Sequence, residues 1–76
     1  MTLEPRHERL LAVLARFPGA TSVAALASAT EWQNQATRKV LAELRRAGLA
    51  EQIREARYRI TDAGRRCLQA TPSLFS

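Results

Sequence analysis

Cysteine occurs once in this chain of 76 residues, at Cys67, so no internal disulfide can close. Histidine also occurs once, at His7, and one Cys with one His falls short of any zinc ligand set. Glycine and proline number three each, too few for a loop-rich or disordered chain. The glycines stand apart from one another, which excludes a Gly-rich phosphate loop. No apolar run approaches the roughly 20 residues that cross a bilayer. The start, Met1-Thr2-Leu3-Glu4-Pro5-Arg6, has no leader pattern, and the expectation is a soluble, cytoplasmic chain with no membrane partner. Acidic groups are scattered and His7 has no catalytic partner, so neither enzymatic activity nor a cofactor or metal is expected.

What is present is an ordinary globular composition, 46% hydrophobic and 25% charged. A chain of this length fits a single domain over 1–76, with 71–76 as a tail and only a thin core. The net charge of +5 is distributed unevenly. Residues 1–37 balance Arg6, Arg9 and Arg16 against Glu4, Glu8 and Glu31. Residues 38–76 set nine basic groups against Glu43, Glu51, Glu55 and Asp62, so the whole excess lies there. That asymmetry suggests one binding surface for a polyanion, the other reading being a solvated basic face kept for solubility.

Hydrophobic spacing divides the chain into elements. Leu10, Leu11, Leu14 and Phe17 mark an amphipathic helix from about Glu4 to Phe17, stopped by Pro18-Gly19. Thr21 or Ser22 caps a short second helix through Ala29, with Val23, Leu26 and Ala27 inward. After a break at Thr30 or Glu31, Ala36, Val40, Leu41, Leu44 and Ala47 form one apolar stripe along a third helix from Trp32 to Ala47, which Gly48 ends. Leu49 to Ile53 and Tyr58 to Thr61 have strand character, and Arg54 to Arg57 form the turn between them. Thr61 or Asp62 caps a last helix to about Ala70 with Ala63, Cys67 and Leu68 inward; Cys67 reads as a small buried hydrophobe. The indole of Trp32 is expected to pack across its turn into the core.

Two stretches carry a resemblance. Ala36-Thr37-Arg38-Lys39-Val40-Leu41-Ala42-Glu43-Leu44-Arg45-Arg46-Ala47-Gly48-Leu49-Ala50-Glu51 resembles the recognition helix of bacterial MarR-, PadR- and ArsR-type regulators with its glycine-leucine ending. Tyr58-Arg59-Ile60-Thr61-Asp62-Ala63-Gly64-Arg65-Arg66-Cys67-Leu68 resembles the return strand and helix that follow their wing. The resemblance, over about 20–70, implies a mainly α fold with a small β-hairpin. That fold is the winged helix-turn-helix, with a three-helix core, a β-hairpin wing and a C-terminal helix. The long dimerisation and effector helices of larger regulators find almost no room in this chain.

At 100° per residue the third helix gathers Val40, Leu41, Leu44 and Ala47 on one side and Gln35, Arg38, Ala42, Arg45 and Arg46 opposite, with Asn34 and Lys39 flanking. Such a helix fits the major groove of double-stranded DNA. Asn34, Gln35 and Arg38 are the candidate base readers, since Asn and Gln pair with adenine and Arg with guanine. Lys39, Arg45 and Arg46 fall nearer the phosphates. Arg54, Arg57 and Arg59, in or beside the hairpin, are candidate wing contacts, although alternating charge there also guards a strand edge against aggregation. Thr21 and Ser22 offer hydroxyls and amides to a phosphate, or plain helix capping. Arg65 and Arg66 either extend the basic surface or solvate the last helix.

The expected function is therefore sequence-specific binding of double-stranded DNA by a small transcriptional regulator. An autorepressor of the kind encoded by phages and mobile elements fits this size. A symmetric operator would require a homodimer, through Leu74 and Phe75 or the first helix. The competing reading is a protein-binding module on the same fold, such as a phage-encoded inhibitor of a nucleoprotein complex, whose partner is a protein.

Overall fold

The structure is a computed structural model that describes residues 4–17 and 19–70. Helix α1 (Pro5–Arg16) carries Pro5 in its first turn, where a missing amide costs nothing, and buries His7, Leu10, Leu11, Val13 and Leu14 along one side. A strand of two residues, β1 (Thr21–Ser22), leads directly into α2 (Val23–Thr30). Ser22 is the N-cap, its Oγ accepting from the Ala25 amide at 3.1 Å. The helix ends at Glu31, whose left-handed φ of 62° lets the Trp32 amide turn back to donate to the Ala27 carbonyl at 3.0 Å.

Helix α3 (Asn34–Arg46) follows two residues later, and its buried side consists of Thr37, Val40, Leu41 and Leu44. Thr37 lies inside at no cost in unmet hydrogen bonding because its hydroxyl donates to the Gln33 carbonyl one turn back, at 3.0 Å. Thr30 uses the same device, donating to the Leu26 and Ala27 carbonyls at 2.9 and 3.2 Å. Gly48, at φ +77°, takes the chain out of α3, and the Leu49 amide closes the end by donating to the Leu44 carbonyl at 2.9 Å.

The hairpin consists of β2 (Ala50–Arg54) and β3 (Arg57–Ile60), and β1 adds to it antiparallel to give the order β1-β3-β2. Thr21 faces Tyr58 and Ser22 faces Arg57. In the β2–β3 ladder Gln52 faces Tyr58 while Arg54 faces Arg57, so Ile53 is a bulged residue and stands 41% exposed. Helix α4 (Asp62–Ala70) is capped by Thr61, whose hydroxyl accepts from the Gly64 amide at 3.0 Å and donates to the Gly48 carbonyl at 2.7 Å.

One core joins these elements. Leu10, Leu11, Leu14, Leu26, Leu41 and Leu44 are almost fully buried at the meeting of α1, α2 and α3, and Leu49, Ala50 and Ile60 bring the hairpin onto it. Each such leucine contributes on the order of 2 kcal/mol. Trp32, Tyr58, Ala63, Cys67 and Leu68 pack against this core while half-buried. No helix among the described residues is long and apolar enough to cross a membrane.

Candidate nucleic-acid interface

Burying Thr37, Val40, Leu41 and Leu44 fixes the rotation of α3, and the opposite side necessarily faces outward. Asn34, Gln35, Arg38, Lys39, Ala42, Arg45 and Arg46 are all exposed there. Glu43, the sole acidic residue of α3, turns away from that face. Its Oε1 lies 3.2 Å from His7 Nε2 and 3.6 Å from Arg6 Nη2, both on α1. The cationic face therefore has no acid from its own helix. Among the described residues, Arg38, Lys39 and Arg46 form no ion pair.

The hairpin is joined to this helix by a side-chain bond, Arg45 Nη1 donating to Gln52 Oε1 at 2.9 Å. Arg54 and Arg57 are exposed beside the turn and, among the described residues, also unpaired. Arg59 differs, because its guanidinium donates twice to Glu51 Oε2 across the ladder, at 3.2 and 3.1 Å. An exposed pair of this kind adds little stability, yet it cancels the arginine's charge locally.

No protein-family model and no curated protein matches the chain. Solved structures do. A chain from Pseudomonas aeruginosa PA01 assigned as a transcriptional regulator protein superposes with a TM-score of 0.78 at 25% identity, over 90% of this chain. IdeR of T. acidophilum superposes with a TM-score of 0.71 at 21% identity, again over 90% of this chain. The present chain spans 52% of the length of the first and 33% of the second. With three helices, a hairpin packed beside the third and a closing helix, the deciding features are in place. This is the winged helix-turn-helix fold. The hairpin β2–β3 is its wing, and α2 and α3 are its helix-turn-helix.

Within that fold the eleven residues singled out from the sequence separate. Asn34, Gln35, Arg38, Lys39, Arg45 and Arg46 share the outer side of α3, and Arg54 and Arg57 lie on the wing that adjoins it. Arg59 is on the wing but held by Glu51. Thr21 lies on the edge strand β1 opposite Tyr58 and is 5% exposed, far less open than the outer side of α3. Ser22 takes the capping role, and the Val23 amide is occupied by the Ala56 carbonyl of the wing at 2.9 Å. The first turn of α2 thus has two of its donors committed within the chain. Trp32 leans on the core and also walls a shallow cleft of about 390 Å³ with Arg6, Ala36, Lys39 and Val40. Leu74 and Phe75, the suggested dimer contact, lie outside the described residues.

Gln52 and Tyr58 belong beside α3 although the sequence did not single them out. They face each other across the wing ladder, and Gln52 reaches α3 through Arg45. Their offsets from the turn differ by one residue because Ile53 is bulged, so counting outward from the turn does not pair them.

Proposed function

We propose that this winged helix-turn-helix chain binds double-stranded DNA as the DNA-reading part of a transcriptional regulator, with α3 in the major groove and the wing against the flanking backbone. The observation that carries the reading is the one-sided chemistry of α3. Its inner side is buried, its outer side presents amides and unpaired cations, and its only acid is turned back onto α1. In this reading Asn34, Gln35 and Arg38, on the first turns, approach base edges, where each good paired contact discriminates by about 1–3 kcal/mol. Lys39, Arg45 and Arg46 face phosphates, and Arg54 and Arg57 meet the backbone or the minor groove. Arg59 contributes less because Glu51 already neutralises it. The regulator assignment of the Pseudomonas aeruginosa chain supports a regulatory role. A repressor acting on a symmetric operator would have to do so as a homodimer, because paired half-sites mirror a two-fold axis in the protein.

The test is the salt dependence of duplex binding. The five cations placed against the backbone, Lys39, Arg45, Arg46, Arg54 and Arg57, would release about five counterions, giving a slope of log K against log salt near −4 or −5. Binding to duplex with that slope supports the reading. No duplex binding at low salt overturns it and leaves a protein partner as the explanation of the basic face.

A further inference from the structure

Between the outer side of α3 and the wing lies an open cleft of about 310 Å³ walled by Ala42, Arg45, Arg46 and Tyr58. Its chemistry is lopsided. Two guanidinium groups on consecutive residues border it, and no carboxylate does. Arg45 makes a 2.9 Å bond to Gln52 at its edge, which occupies one of its five N–H donors and leaves four for an anion. Tyr58 stands opposite Gln52 in the ladder, so both side chains leave the same face of the sheet, the one turned to α3. Its ring is half-buried against the core, which anchors it. Ala42, one turn before Arg46, presents only a methyl group and leaves the floor of the cleft low.

We infer that this cleft is the seat of a single backbone phosphate, held by the Arg45 and Arg46 guanidinium groups together with the Tyr58 hydroxyl. The inference rests on the DNA-binding reading above and deepens it, for it names the point that sets the depth and register of α3 in the groove. A diester phosphate matches the lining. Its negative charge relieves two neighbouring cations, its oxygens accept from guanidinium and phenol, and the adjoining sugar lies over the alanine. The Gln52 side chain acts as a positioning residue through Arg45. An anchored tyrosine suits such a register point, because few torsions remain to be frozen when the phosphate arrives.

The test uses the full chain and a duplex of mixed sequence, titrated between about 50 and 200 mM salt. Tyr58→Phe keeps the ring and removes the hydroxyl; it is expected to weaken binding about tenfold at every salt concentration, leaving the slope unchanged. Arg46→Gln is expected to reduce the magnitude of the slope by about one. Combining them should cost less than the product of the single losses, since both contact one phosphate. Arg65→Gln, on α4 outside the cleft, is the reference for loss of a surface charge, and thermal unfolding checks that every variant is folded. Duplex binding with Tyr58→Phe indistinguishable from the parent, or with losses that simply multiply, overturns the cleft while leaving DNA binding intact. Failure of the parent itself to bind duplex overturns both.

Discussion

The backbone carbonyl of Ala56, in the turn of the wing, accepts a hydrogen bond from the amide of Val23 at the start of α2, 2.9 Å away. The wing is thereby tied to α2 at its turn and, through Arg45 and Gln52, to α3 along its length. Ala56 holds this position at a φ of 61°, a left-handed conformation that costs an L-residue about 1 kcal/mol. Replacing it with glycine is expected to stabilise the fold by about 0.5–1 kcal/mol, while Ala56→Val, β-branched at positive φ, should destabilise it by more than about 1 kcal/mol. Urea unfolding checks both. A lower midpoint for Ala56→Gly would contradict the strain at this turn.

Gly64 is needed for a different reason. A Cβ there would lie 2.7 Å from Ile60 Cγ1 and collide with the Leu49 carbonyl oxygen, so α4 seats against the wing's root only because this residue has no side chain. Gly64→Ala is expected to cost about 1–3 kcal/mol by overpacking. For a domain of this size that is a drop of roughly 4–8 °C in Tm per kcal/mol. Thermal unfolding that matched the parent would show that α4 can shift freely.

His7 is 4% exposed, and its Nε2 faces Glu43 on α3. Removing the carboxylate with Glu43→Ala leaves a buried ring nitrogen without a partner, and the expected cost is about 1–2 kcal/mol. Glu43→Gln keeps a carbonyl acceptor at the same place and should recover most of it. Urea midpoints for the two variants decide the matter; equal losses would mean that the contact contributes through charge rather than hydrogen bonding.

Much of this was legible in the residues. The third helix, with Val40, Leu41 and Leu44 inward and Arg38, Arg45 and Arg46 outward, follows from periodicity alone, because a single strong apolar stripe fixes its rotation. The wing and α4 appear close to the expected bounds. The two-residue strand Thr21–Ser22 was not visible, since no alternation can register over two positions and both residues are also good caps. Burial of Thr37 and His7 escaped a reading based on apolarity; Thr37 is satisfied one turn back by the Gln33 carbonyl, whereas His7 meets Glu43 at Nε2 and has no hydrogen-bond partner at Nδ1 among the described residues. The turn at Glu55 and Ala56, which has neither Gly nor Asn, concealed both its left-handed residue and the bulge at Ile53. The outer face of α3 was legible as a surface, whereas the contribution of Gln52 and Tyr58 to it depends on strand register, which the sequence does not disclose.

The central claim, that the outer face of α3 reads bases in a duplex, is tested most directly by selecting bound duplexes from a random pool with the parent chain and with Arg38→Ala. The account predicts that the parent enriches a defined motif and that Arg38→Ala blurs it at one guanine-bearing position while binding persists. A pool that stays random with the parent, or a motif that Arg38→Ala leaves unchanged, would contradict it.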